Sequence, residues 1–340
     1  MSDKLTFTMI DHTYVEGKFR HTNDIIPYRY DIIKTIPKII NIFKTAFSYD
    51  NQYLITSNGV APWIDIYETT NWTKLPSITT TLITTPRAFC CSPTGLLYAG
   101  QSISHSVLYN LNDHTCENLI LPSNLGTVSY ANFSPDGSQL VVVGNQGIII
   151  FETTDWQVLY SLINSSSPNN NWLFKSAIYS PNGQYLCLAS SISATSSTPF
   201  EINIIDTGSF VSLYKKQITA QATNNYPFFQ GTFSPDNNYV AYWNENIASN
   251  RIEIVDLDDF TIHHTISETN RVYSINYTPD GTQLIYNCDG YPSFKVYNTS
   301  NWTLVPYINL AFNNLTTNFE FSQNRKWVVA NNNSTITIMI

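Results

Sequence analysis

The chain predicts an all-β fold, a β-propeller of seven four-stranded blades, and three observations carry that prediction. One short motif, usually an aromatic residue followed by a Ser-Pro-Asp-Gly-like turn, occurs seven times in 340 residues: Phe47–Asp50, Cys91–Gly95, Phe133–Gly137, Tyr179–Gly183, Phe233–Asn237, Tyr277–Gly281 and Phe321–Asn324. The opening residues stand 44, 42, 46, 54, 44 and 44 positions apart, the period of one blade built from short strands. A second motif, near-identical in Tyr67–Trp72, Phe151–Trp156 and Tyr297–Trp302, recurs between them. The composition agrees: aromatic residues reach 14% and charged residues only 12%, a balance that suits pleated, half-buried surfaces.

The third repeat displays the plan of a blade. Ser129–Phe133 alternates as an inner strand, and Pro135-Asp136-Gly137 forms the turn. Pro pre-sets φ, Asp accepts local backbone hydrogen bonds and Gly tolerates positive φ. Leu140–Val143 is apolar throughout, as a strand packed on both faces must be. Asn145-Gln146-Gly147 turns the chain into Ile148–Phe151, and Trp156–Leu162 is the outer strand. Phe210 and Phe260 take the Trp position in the fourth and fifth repeats, and His114 takes it in the second. A large ring repeated at a blade edge has a structural role, and His114 shares that role rather than serving as a ligand.

The seventh repeat ends after its third strand, Thr335–Ile340. Its outer strand must therefore come from elsewhere. In complete repeats the outer ring precedes the next opening residue by 17 to 23 positions, and that interval before Phe47 reaches Tyr28 and Tyr30. Tyr30–Pro37 is the candidate closing strand, pairing with the C-terminal strands so that the ring has no open edge. The plan divides the chain into an arm, residues 1–27, and a propeller, residues 28–340.

Charge and cysteine usage exclude some roles. The net charge is −8, with seven basic and five acidic side chains in residues 1–47 and ten and twenty in the remainder. An acidic body does not favour nucleic acid, whose phosphates call for clustered Lys and Arg. The cysteines Cys90, Cys91, Cys116, Cys187 and Cys288 are odd in number and irregularly spaced, which predicts buried free thiols in a reducing compartment. Met1–Phe7 lacks the apolar segment of a signal peptide, and no run approaches 18 apolar residues. Membrane insertion is not expected.

No catalytic constellation stands out, and no cofactor or metal is expected. His12, His21, His105, His114, His263 and His264 lack metal-ligand spacing. The adjacent His263 and His264 should point to opposite faces of an outer strand. Asp50, Asp136, Asp236 and Asp280 recur because the turn needs them, while Glu245 and Asp289 could reach a channel mouth. Candidate partner-binding positions lie in the long polar loops around the fourth repeat: Asn164, Asn169, Asn171, Ser190, Thr195, Thr198, Gln221, Asn225 and Tyr226. The arm supplies a candidate anchor in Leu5, Phe7, Met9, Tyr14, Lys18 and Arg20, able to add a strand to a partner.

The Phe-Ser-Pro-Asp-Gly turns and the run Ile66–Pro76 resemble the WD-repeat-like propellers of bacterial and bacteriophage proteins. Tyr53–Pro76, with Pro62–Tyr67 inside it, is the most similar segment. The Gly-His and Trp-Asp dipeptides of eukaryotic WD repeats are missing, which tells against a signalling scaffold. The resemblance implies a non-enzymatic binding role: a virion structural or accessory protein, assembled in the host cytoplasm, that contacts other subunits of a particle or a host surface. A lactone-hydrolysing propeller, with a channel-mouth metal held by carboxylate and amide groups, is the competing reading. A cytoplasmic protein-interaction scaffold is the third.

Overall fold

In a computed structural model the chain closes into a seven-bladed ring. The structure describes residues 5–8, 14–17, 32–37, 42–59, 61, 63–78, 86–102, 105–163, 173–191, 200–218, 231–244, 251–288, 294–305, 318–322, 326, 328–331 and 335–339. Blade 3 is typical: Val128–Phe133, Gln139–Gly144, Gly147–Glu152 and Val158–Ile163 pair antiparallel in chain order. Blades 2, 4, 5 and 6 follow the same order. Blade 1 has three strands, Ile42–Phe47, Tyr53–Asn58 and Ile64–Glu68, and its outer edge is reduced to the bridges Tyr67–Lys74 and Ile64–Ile78.

The expected closure is present. Ile32–Pro37 pairs antiparallel with Thr335–Met339 and completes blade 7, with Ile36 opposite Ile336. The arm contributes a separate two-stranded hairpin, Leu5–Thr8 with Tyr14–Gly17.

Each blade interface holds one apolar layer. Ala46, Ile55 and Ile66 of blade 1 meet Phe89, Leu97 and Val107 of blade 2. Val141, Val143 and Ile150 of blade 3 meet Phe174, Ala177 and Leu186 of blade 4. Five further layers fill the remaining interfaces, and the last joins Ile36, Ile336 and Ile338 to Ile42 and Leu54 across the closure. Middle strands such as Leu140–Val143 are apolar on both faces because each face covers a different neighbour.

The turn between the first two strands is built as its sequence suggests. Ser134 Oγ donates to Asp136 Oδ1 at 2.6 Å and accepts the Gln139 N–H at 2.9 Å. Asp136 also accepts the Ser138 N–H at 3.0 Å. The Ser134 hydrogen bond is the largest influence holding the Asp136 carboxyl below its ordinary range. Asn182 makes the same bonds through its amide oxygen in blade 4. Gly137 closes the turn at φ +75°, and Asn51 and Asn237 adopt that conformation in blades 1 and 5.

The second repeated motif does more than cover an edge. Trp72, His114, Trp156, Phe210, Phe260 and Trp302 all have φ between 54° and 62°, a left-handed conformation rare for bulky side chains. Each ends the turn before the outer strand; Trp156 therefore precedes its strand, Val158–Ile163, instead of opening it. In blade 4 the Phe210 N–H donates to Asp206 O at 2.8 Å and the Asp206 N–H to Val211 O at 3.0 Å. In blades 4, 5 and 6 the left-handed residue throws its ring back over the preceding blade: Phe210 stacks on Tyr160, Phe260 on Tyr214 and Trp302 on His264, with centroids 4.7, 6.2 and 4.9 Å apart. His263 turns to the Tyr239 ring at 4.6 Å. A threonine latch ties the two turns of a blade together, as in Thr153 Oγ1 to Gly137 O at 2.7 Å.

Cys90, Cys187 and Cys288 are buried, and all five thiols are free. Burial pushes Cys90 up to about 12, so it stays protonated. Cys116 departs from the expectation: it is exposed, on the outer strand of blade 2.

Ile36→Ala, at the closing interface, should cost about 2–4 kcal/mol, whereas Ile33→Ala, on the exposed outer strand, should change stability by less than about 0.5 kcal/mol; urea unfolding midpoints compare the two. Trp156→Gly should be less destabilising than Trp156→Ala by about 1 kcal/mol, because both lose the ring but only glycine is relieved at positive φ. Equal losses would show that the conformation carries no strain.

Candidate functional site in the central channel

Antiparallel strands divide the ring into two ends. One end carries the turns described above, with Asp50, Asp113, Asp136, Asp155, Asp206, Asp236, Asp259 and Asp280 on them. The other end receives the connections from second to third strand and from one blade to the next. Strand ends flanking residues 164–172, 192–199 and 219–230 all lie there.

First strands of blades 1 to 4, and of blades 5, 6, 7 and 1, touch in succession around the axis. Four of them are interrupted by a one-residue register slip, at positions 43, 129, 175 and 273. A bulge of this kind bends the strand and redirects a side chain. In blade 4 the extra residue is Lys175. Its neighbours Phe174 and Ser176 are buried in the blade, whereas Lys175 is half-buried. Burial alone lowers its pKa. The bulged Ser129 of blade 3 donates from Oγ to the Lys175 carbonyl at 3.5 Å, joining the two irregularities.

Lys44 of blade 1 reaches across the ring. Its Nζ lies 4.5 Å from the centroid of the Tyr130 ring in blade 3. Blades 1 and 3 are not neighbours, so this contact runs through the channel. At the start of the first strand of blade 6, Arg271 lies over the Tyr273 ring at 5.6 Å.

Glu320, on the first strand of blade 7, faces the same channel near the turn end. It accepts the Phe47 N–H of blade 1 at 3.4 Å. Protein encloses the carboxyl on all sides, yet solvent still reaches part of the residue, as in the wall of a narrow channel. Burial raises its pKa to about 7, against the opposing field of Lys44 and the Phe47 hydrogen bond.

Two buried carboxylates clamp blades 4, 5 and 6 beneath the loop end. Glu253, fully buried, accepts from Lys216 Nζ, Arg251 Nε and Tyr242 OH at 2.7 Å each and from Asn244 Nδ2 at 2.9 Å. Burial opposes its ionisation, but the bonds from Lys216, Tyr242 and Arg251 outweigh that and lower its pKa. Glu268 accepts from Lys295 Nζ at 2.6 Å, Tyr286 OH at 2.9 Å and the Asn270 N–H at 2.9 Å. Lys216 belongs to blade 4 and Lys295 to blade 6, so the acids join three blades into one platform.

The expected site residues fall as follows. Asn164, Asn169, Asn171, Thr195, Thr198, Gln221, Asn225 and Tyr226 lie outside the described residues, as do Glu245 and Asp289. Ser190 is not a loop residue: it pairs with Phe174 and Glu201 inside the strand Tyr185–Ser191 and is 6% exposed. The strand runs further than its polar end suggests, because the blade ladder continues through both serines. Leu5 and Phe7 are in one strand of the arm hairpin and Tyr14 in the other; Met9, Lys18 and Arg20 lie outside the described residues. The sequence reading passed over Lys44, Lys175 and Glu320. The available signal was a charge inside an otherwise apolar or neutral inner strand, as in Leu173–Tyr179.

Ring, turns and channel define a seven-bladed, WD-repeat-like β-propeller. Among solved structures the chain is similar to the β-propeller domain of Cps50 (Swd1) from Myceliophteria thermophila, with a TM-score of 0.69 and 13% identity over 92% of this chain and 99% of that one. Identity this low establishes the shared fold alone. No family model matches the chain, and no curated protein does.

Glu320 should leave a signature in the pH dependence of stability. Its folded pKa of about 7 lies above the ordinary 4.5, so the folded state prefers the protonated form. The stabilisation is complete below about 4.5, falls as pH rises toward 7 and is gone above it. Glu320→Gln should remove this slope, measured as urea midpoints at about pH 5 and about pH 8; an unchanged slope would place its origin elsewhere.

Proposed function

We propose that the protein is a non-enzymatic binding propeller, a structural or accessory component of a bacteriophage particle. In this reading the face carrying the insertions of the fourth repeat engages another particle protein or a host surface. The proposal is carried by the resemblance of Tyr53–Pro76 to bacterial and phage propeller repeats, and of the Pro62–Tyr67 run within it to phage-type copies. The geometry supports a binding role in a second way. Glu253 and Glu268 join blades 4, 5 and 6 toward the end of the ring at which the insertions leave their strands, and long loops on a rigid scaffold favour recognition.

The hydrolase alternative calls for carboxylate and amide ligands around a divalent metal at the channel mouth. The described channel instead carries Lys44, which crosses from blade 1 to the Tyr130 ring of blade 3, and a cation repels a metal ion. Asp50, Asp136, Asp236 and Asp280 each accept a serine or threonine hydroxyl within their turns, which gives them a structural use.

Quantitative mass spectrometry of purified particles is the test. The chain should be present at a fixed stoichiometry, and a variant without residues 1–27 should no longer assemble into the particle. Absence of the intact chain from particles would remove the structural reading in favour of an intracellular scaffold or enzyme.

A further inference from the structure

We propose that the outer strand of blade 3, Val158–Ile163, is an acceptor edge for strand addition, and that its occupant is the N-terminal hairpin of a second copy of this chain, entering through Leu5–Thr8. The contact requires only two copies of the chain and is independent of a particle.

The acceptor stands out against the other blades. Outer strands are the open edges of a propeller, and an open edge pairs with other chains unless it is short, charged or interrupted by proline. The outer strands of blades 2 and 6 span only three and two residues. Blade 4 carries Lys215 and Lys216 on its edge, and blade 7 carries Lys34 and ends on Pro37. The edge of blade 1 is reduced to two bridges around Pro76, and blade 5 sets the ionisable pair His263 and His264 on its edge. Val158–Ile163 has none of these devices: it is six residues long, uncharged and free of proline. It pairs on one side only, with Gly147–Glu152. Val158, Leu159 and Leu162 along it are 50, 43 and 39% exposed.

The occupant follows from a second incomplete element. Leu5–Thr8 and Tyr14–Gly17 pair with each other, and among the described residues neither joins a blade. Two strands of four residues do not sustain a sheet in water, and a third strand is needed. Tyr14–Gly17 carries Glu16, whereas Leu5–Thr8 is uncharged, so the neutral edge of the hairpin matches the neutral edge of blade 3. The arm joins the ring at blade 7, three places from blade 3 and across the axis from it. Residues 18–31 lie between the hairpin and that strand. Fourteen residues span up to about 45–50 Å when extended, enough to carry the hairpin from its own perimeter to the edge of a neighbouring ring. Two chains that exchange arms satisfy both hairpins and both edges, and the assembly closes on a two-fold axis.

The test uses the full chain. Sedimentation velocity over a concentration series should show self-association. Leu162→Lys puts a charge on the blade 3 edge and should weaken association at least about tenfold. Leu213→Lys makes the same change on the already charged edge of blade 4, where the leucine is similarly exposed, and should leave association unchanged. Phe7→Pro removes a backbone N–H from the arm strand and should abolish association. The two defective chains should then complement one another: Leu162→Lys retains a working arm and Phe7→Pro a working edge, so their equimolar mixture should form heterodimers although neither self-associates. A full chain that stays monomeric at every concentration overturns the proposal, as does an equal loss in Leu213→Lys. Association that survives Phe7→Pro overturns it in favour of blade 3 edges pairing with each other, and a mixture that fails to associate overturns the arm-to-edge contact.

Discussion

Each blade of this ring has two apolar faces and can bury neither by itself. Val141 and Val143 look toward blade 4 while Leu140 and Val142 look toward blade 2, and all four are completely removed from solvent. Burial at about 25 cal/mol per Å² stabilises the fold only when every blade has a neighbour on both sides. The requirement explains why Ile32–Pro37 must complete blade 7, and why the closing layer of Ile36, Ile42, Leu54 and Ile336 resembles every other interface. The left-handed rings answer the same demand at the perimeter. Phe210 or Trp302 accepts an unfavourable φ because that conformation aims its ring across the gap to the blade before.

A rigid perimeter leaves the axis free for specialised chemistry. Turn chemistry repeats from blade to blade, and its acids have defined jobs: Asp136 and its counterparts order a local loop of hydrogen bonds. Glu253 and Glu268 occur once each, at the interfaces that join blades 4, 5 and 6. Channel residues are singular as well, and Lys175 sits at a backbone irregularity that the repeats do not share uniformly. Blade 2 pairs regularly from Ala88 to Cys91, whereas blade 4 bulges at Lys175. Differences between blades, rather than their common plan, create the local environments of the channel.

The same distinction decides what could be read in the amino acids alone. The number of blades, the two repeated turns and the source of the last strand were legible because local rules suffice: Ser, Pro, Asp and Gly each have a reason to occupy their turn positions. The slot of His114 was legible by alignment with Trp72 and Trp156, although its positive φ was not, since nothing in a histidine announces that conformation. Ser190 looked like a loop because serines follow it, yet pairing through Glu201 extends the strand. Lys216 and Glu253 are 37 residues apart, and Glu320 reaches Phe47 across 273. The first contact depends on the docking of neighbouring blades and the second on the closure of the ring, and no periodicity encodes either.

The pairing of Ile36 with Ile336 joins positions 300 residues apart, and this places a constraint on the order of folding. The strand that seals the ring is translated before any blade, and its partner after nearly all of them. Until Thr335–Met339 leaves the ribosome, Ile32–Pro37 has no ladder to join and blade 1 has an uncovered face. The entropy of so long a closure grows only slowly with length, so the penalty is one of time more than of stability. Throughout synthesis an unpaired edge and an apolar blade face remain open to other chains, the condition in which β-rich proteins misassociate.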